Sequence, residues 1–223
     1  MTNKTAAQLN FFSSIKVGGW TFLSRVAGLI RDIFTTNLLG ASIFHDIFVV
    51  VLKIPNVFRK LFAEGAFSQA FIPIYSEYIG SKDDKGSQDF LNALFGILLS
   101  ALFIFTALAL LFAPMFILIF APGFYFDIQK QDLAVSLLRI MFPYLALISL
   151  VAFAAGIQNS HNKFSIPAIT PLIFNLSLIG SAWLVAPKID IPVMALAWGV
   201  LLAGFLQLLF QIAPLATIKK IPI

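Results

Sequence analysis

The apolar positions of this chain fall in long, nearly continuous blocks rather than in alternation. Each block is close to the length a helix needs to cross a hydrocarbon core of about 30 Å. Six blocks are predicted as membrane-spanning helices, at about 13–38, 43–63, 90–112, 134–157, 166–186 and 192–214. Turn residues separate them: Gly40-Ala41-Ser42, the polar stretch from Ser81 to Ser87, Ala121-Pro122-Gly123, Asn159 to Lys163, and Ala186 to Pro192. The segment from Gly65 to Tyr78, with Pro73, Ser76 and Glu77, is too polar for a span and is read as the second helix continuing out of the membrane. The predicted fold class is all-α, a polytopic transmembrane helical bundle of about six spans in a single domain over residues 1–223.

Composition supports a membrane setting. Hydrophobic residues make up 60% of the chain and charged residues 11%, against about 25% charged in soluble domains. Long apolar runs select helices over a membrane β-barrel, whose strands alternate. Cysteine is absent, which removes disulfides, thiolate metal sites and cysteine nucleophiles. Met1 to Asn10 is polar, and Lys16 and Arg25 interrupt the next apolar stretch, so a removable signal peptide is not expected.

The formal charge of +5 is better assigned to positive-inside bias and anionic membrane lipid than to nucleic acid. Lys4, Lys16, Lys82, Lys85, Lys163, Lys219 and Lys220 fall at one set of ends, against Lys130 and Lys188 at the other. That asymmetry places both termini in the cytoplasm, which an even number of spans requires.

The stretch from Ser24 to Pro73 departs from this pattern. It holds Arg25, Arg31, Asp32, Asp46, Lys53, Arg59, Lys60 and Glu64, five bases and three acids, inside sequence otherwise as apolar as a span. A charge at the centre of a membrane helix costs roughly 2.5–3.5 kcal/mol on insertion scales, while a Leu, Ile, Phe or Val returns only about 0.3–0.6. Such groups need a wet cavity, ion partners or a charged ligand. On the second helix Lys53, Asn56, Lys60 and Glu64 fall at offsets of three, seven and eleven and build one polar stripe, with Arg59 displaced by one position. On the first, Arg25, Arg31 and Asp32 share a broad face.

Two readings follow. Pairing of Arg31 with Asp46 and of Lys60 with Glu64 would simply lock the helices together. The surplus of two positive charges instead favours an anion, and an Arg fork suits phosphate. Pro55 is expected to kink the second span near Lys53 and Asn56, and Pro143, Pro167 and Pro171 to act similarly later.

Elsewhere the chemistry is bland. Metal-hydrolase, serine-hydrolase and P-loop signatures are missing, so neither an enzyme nor a cofactor is expected. His45 and His161 read as structural or interfacial, and the sequon Asn175-Leu176-Ser177 lies within a span, out of reach of glycosylation. Ala195, Gly199 and Ala203 recur every four residues, the small-xxx-small spacing of closely packed helices.

The strings Ser24-Arg25-Val26-Ala27-Gly28-Leu29-Ile30-Arg31-Asp32, Lys53-Ile54-Pro55-Asn56 and Arg59 through Pro73 closely resemble the MurJ (MviN) lipid II flippase family. Pro143-Tyr144, Gly156 to Asn159, Asn162 to Ala168 and Pro171 to Asn175 extend the likeness over nearly all of the chain. The resemblance implies a transporter of the multidrug/oligosaccharidyl-lipid/polysaccharide exporter superfamily in the bacterial cytoplasmic (inner) membrane. Its substrate would be the undecaprenyl-diphosphate-linked peptidoglycan precursor, moved from inner to outer leaflet by alternating access for cell-wall synthesis. It further implies substrate binding by Arg25, Arg31 and Arg59, and counter-ion or gating roles for Asp32, Asp46 and Glu64. Ser24, Lys53, Asn56 and Lys60 are the other candidate cavity residues. Family members are two-lobed and longer, so the chain is expected to match the N-terminal lobe and to need a C-terminal lobe as partner. A flippase for another polyprenyl-linked oligosaccharide, a drug antiporter and a non-transporting membrane interaction protein are the alternatives.

Overall fold

A computed structural model describes residues 2–60, 66–81 and 83–222; side chains are described from residue 15 onward, except those of 66–69 and 125. The fold is all-α, as expected, with no strand among the described residues. The helices are α1 (Thr2–Leu39), α2 (Ile43–Arg59), α3 (Ala66–Gly80), α4 (Asp84–Leu111), α5 (Ala113–Phe120), α6 (Pro122–Tyr125), α7 (Ile128–Met141), α8 (Tyr144–Ser160), α9 (Ser165–Gly180) and α10 (Pro192–Thr217). A π turn over Ser181–Val185 and a 3₁₀ turn over Ala186–Lys188 extend α9 towards α10.

Among the described residues, four segments are long and apolar enough to cross a membrane: Asp84–Leu111, Ile128–Ser160, Ser165–Lys188 and Pro192–Thr217. α1 is not among them, because Lys16, Arg25, Arg31 and Asp32 interrupt its 38 residues; nor is α2, with 17. Together these helices make the chain a multi-pass membrane protein.

Local chemistry explains the breaks. Gly40 ends α1 at φ +60°, a left-handed conformation that costs Gly little, and its N–H reaches the Thr36 carbonyl at 2.7 Å. α8 ends in a Schellman turn: Lys163 N–H donates to the Gln158 carbonyl at 2.9 Å and Asn162, at φ 60°, to that of Asn159 at 3.0 Å. α10 ends in the same way, with Lys219 in the left-handed position. Pro143 has no N–H to donate, and the long apolar segment divides there into α7 and α8.

The main core joins α2, α7, α8 and α10 through Ile47, Val51, Ile54, Leu137, Leu138, Met141, Leu145, Leu196 and Val200, all buried. On α2 the buried positions 47, 48, 51, 54 and 55 form a stripe at helical spacing, which turns Lys53, Asn56 and Lys60 to the other side. Pro55 lies within α2 without ending it.

A second, aromatic core holds α3 against α4 and α8. Phe71 and Tyr75 stack 5.3 Å apart, and Phe71 meets Phe153 edge-on at 5.3 Å. α3 is therefore a packed element of the bundle rather than a helix lying out in the interface; its junction with α2, residues 61–65, falls outside the described residues.

The small-residue spacing on α10 performs as expected. A Cβ on Gly199 would collide with Ser181 Oγ, and the Gly199 carbonyl accepts from Ser177 Oγ at 2.9 Å.

Candidate functional site: a cationic cavity facing an amide wall

α1 packs on α9 along one stripe. Ala27, Thr35 and Leu39 are buried on it, and Val17, Trp20, Ser24, Gly28 and Arg31 are half-buried. Asn175 of α9 fastens the crossing. Its Nδ2 donates to the Ser24 carbonyl at 2.9 Å, and its Oδ1 accepts from Arg31 Nη1 at 3.0 Å.

Arg31 is held from three sides. Nε and Nη2 donate to Asp32 Oδ1 at 3.0 and 2.7 Å, Nη1 takes Asn175, and the guanidinium carbon stands 5.8 Å from the Phe174 ring centroid. The alternative expectation, Arg31 paired with Asp46, does not hold: Asp32 is the adjacent residue and captures the fork, while Asp46 lies exposed in the first turn of α2.

Beside Arg31 opens a cavity of about 740 Å³. Its cationic wall comes from α1 and α2, with Arg31, Asn56, Arg59 and Lys60. Asn56 Nδ2 donates to the Leu52 carbonyl at 2.9 Å, and Arg59 Nε reaches Asn56 Oδ1 at 3.4 Å. Arg59 thus joins the α2 stripe despite its one-position displacement. The rest of the lining is uncharged: Tyr144 and Ile148 of α8, Thr170, Pro171 and Phe174 of α9, and Gln207 of α10. Three bases and no acid line the cavity among the described residues.

On the other side of Arg31 lies a smaller cavity of about 360 Å³, which Arg31, Asp32, Thr35, His45, Lys53 and Asn56 help line. Arg31 and Asn56 therefore belong to both chambers. His45 takes a place in this wall, with its Nδ1 buried and without a partner; His161 Nδ1 meets the Ile157 carbonyl at 3.0 Å.

The remaining sequence candidates lie elsewhere. Arg25 is exposed on α1 and lines neither cavity, and Ser24 contributes its carbonyl to the Asn175 clasp. Glu64, and with it the expected Lys60–Glu64 pair, lies outside the described residues.

Sequence reasoning missed the uncharged wall. Behind it a buried amide network ties three helices. Gln158 Nε2 donates to Gln211 Oε1, Gln211 Nε2 to Thr170 Oγ1 at 2.7 Å, and Gln207 Nε2 to the Thr170 carbonyl at 2.9 Å. The available signal was Gln207 and Gln211, four apart on an otherwise apolar span, and Asn175 within another.

Fold and cavity together define a class: a helical membrane bundle that encloses a polar, net-cationic chamber between two dissimilar walls. Comparison with known proteins makes this specific. A family model described as lipid II flippase MurJ matches residues 35–221, and the chain belongs to that family. It is 39% identical over 216 residues to the lipid II flippase MurJ of Burkholderia cenocepacia, covering 96% of this chain and 42% of that protein. It is 40% identical to the probable lipid II flippase MurJ of Haemophilus influenzae, over 86% of this chain and 39% of that one. A solved structure of lipid II flippase MurJ in an inward closed conformation superimposes with a TM-score of 0.74 at 31% identity, covering 94% of this chain and 43% of the other. The chain thus spans about two-fifths of the length of the relatives it matches.

Proposed function

We propose that this chain supplies one lobe of a lipid II flippase, carrying the undecaprenyl-diphosphate-linked peptidoglycan precursor from the inner to the outer leaflet of the bacterial cytoplasmic membrane. The observation that carries the reading is the pair of unlike walls. Arg31, Arg59 and Lys60 face a common space with no acid among the described lining residues, an arrangement suited to a diphosphate. Arg25, exposed on α1, meets the headgroup from outside this half-cavity, where a second lobe closes the chamber. Asp32 holds Arg31 while the site is empty and yields it as the substrate binds. Asp46 and Glu64 act as counter-ions as the cavity changes its side of access.

No covalent chemistry is required, only a chamber exposed in turn to each leaflet. Both ends of this chain lie on the cytoplasmic side, in keeping with the lysine asymmetry. The test is leaflet translocation of labelled precursor by protein containing this chain and its C-terminal lobe. Arg31→Ala and Arg59→Ala are expected to lower the rate at least tenfold at equal expression. Unchanged rates in both variants refute the site assignment.

A further inference from the structure

The uncharged wall contains a polar group that neither the fold nor a diphosphate uses. Gln207 is 1% exposed and lines the larger cavity from α10. Its amide orientation is dictated: Nε2 donates to the Thr170 carbonyl at 2.9 Å, and turning the group over would set two oxygens against each other. Oε1 is thereby left as the free end, buried and without a hydrogen-bond donor. A buried acceptor without a partner is destabilising, and an apolar side chain at the same place carries no such penalty.

The neighbouring amide behaves differently. Gln211, four residues on and on the same face, has both ends occupied, by Gln158 and by the Thr170 hydroxyl. Of the two α10 glutamines bonded to Thr170, it is Gln207 that belongs to the cavity wall. It belongs to the uncharged part of the lining, supplied by α8, α9 and α10, whereas Arg31, Arg59 and Lys60 come from α1 and α2.

We propose that Gln207 is a specificity residue for the saccharide part of the ligand. Its Oε1 accepts an N–H or O–H donor, such as the acetamido N–H of an N-acetylated sugar, while the cationic wall holds the diphosphate. Thr170 is the positioning residue, since its carbonyl fixes which end of the amide is offered. The oxygen is closed to bulk water in this state, so the donor gains it when the wall parts around the headgroup. This inference rests on the function proposed above and adds a second point of recognition to it.

The test compares two probes on the same detergent-solubilised protein, with its C-terminal lobe present. One is undecaprenyl diphosphate; the other is undecaprenyl diphosphate bearing N-acetylmuramic acid. Gln207→Leu, close in volume, is expected to weaken binding of the sugar-bearing lipid roughly three- to tenfold and to leave the bare diphosphate unchanged. Equal loss for both probes, or no loss for either, overturns the proposal. Failure of the wild-type protein to bind bare diphosphate, or binding insensitive to Arg59→Ala, counts against the diphosphate reading itself. Should Gln207→Leu fail to fold, Gln207→Met, also apolar and close in volume, carries the same comparison with the same expected and refuting outcomes; Gln211→Leu serves as control, since it disturbs the same network and must not change the ratio of the two affinities.

Discussion

Replacing Asn175 by Leu removes the clasp between α1 and α9 without opening a large cavity, and its cost follows from the two bonds lost. The Nδ2 bond to the Ser24 carbonyl is neutral and contributes about 0.5–1.5 kcal/mol; the bond from Arg31 is charge-assisted and contributes about 1.5–3. The Arg31 side chain is 26% exposed, so water replaces part of what Asn175 gave it, and the Ser24 carbonyl keeps its place in the helix. The expected loss is therefore near the low end, about 2 kcal/mol. Thermal unfolding in mild detergent measures it, and a double-mutant cycle of Asn175→Leu with Arg31→Met isolates the pair. Interhelical polar contacts in membranes average about 0.6 kcal/mol in such cycles, and the guanidinium charge should raise this one to about 1. A coupling within about 0.3 kcal/mol of zero refutes the view that this contact fixes α1 on the bundle.

Other perturbations test the packing and the polar network. Gly199→Ala forces a methyl against Ser181 Oγ and Cβ and is expected to destabilise by about 1–3 kcal/mol, with Ser181→Gly restoring much of the loss in the double variant; thermal unfolding reads both. Gln211→Leu strands the Gln158 amide and costs about 1–3 kcal/mol, whereas Gln158→Leu together with Gln211→Leu removes both partners and lands closer to wild type. At the start of α7, Asp127 accepts from the Lys130 side chain and from its backbone N–H, and these hydrogen bonds hold its carboxyl below the usual carboxylate range. The folded form is the one with the lowered value, so the small stabilisation is complete above the ordinary carboxylate range and is lost as pH falls through the lowered value. Asp127→Asn should abolish that part of the acid dependence in melting curves taken at stepped pH.

Much of the architecture was legible because lipid enforces simple rules. Long apolar blocks announced an all-α fold, and the turns expected around Gly40 and Asn162 have the backbone geometry the structure shows; Pro143, expected only to kink one span, divides it into two helices. The prolines were harder to interpret: Pro143 divides a helix, whereas Pro55 and Pro171 sit inside continuous ones. A missing N–H weakens a helix by one bond, and tertiary packing decides whether that is enough to break it. The segment 66–80 shows the same dependence on packing: Ser76 and Glu77 are exposed, while Phe71 and Tyr75, four positions apart, are spaced to bury against α4 and α8.

The two walls of the cavity differ in how plainly the sequence announces them, and the reason is energetic. A charge in a span costs several times what an apolar residue returns, so Arg31, Arg59 and Lys60 stand out within a stretch of thirty residues. An amide costs far less, and its N–H finds a partner in any nearby carbonyl, so Asn175 and Gln207 pass as ordinary members of apolar helices. Their partners are also distant: Arg31 meets Asn175 across 144 positions, and Gln207 meets Thr170 across 37. A pairing at that range is invisible to periodicity. The charges therefore announce a polar chamber of net positive charge, while the uncharged groups of its lining become recognisable only when α8, α9 and α10 are assembled around Thr170.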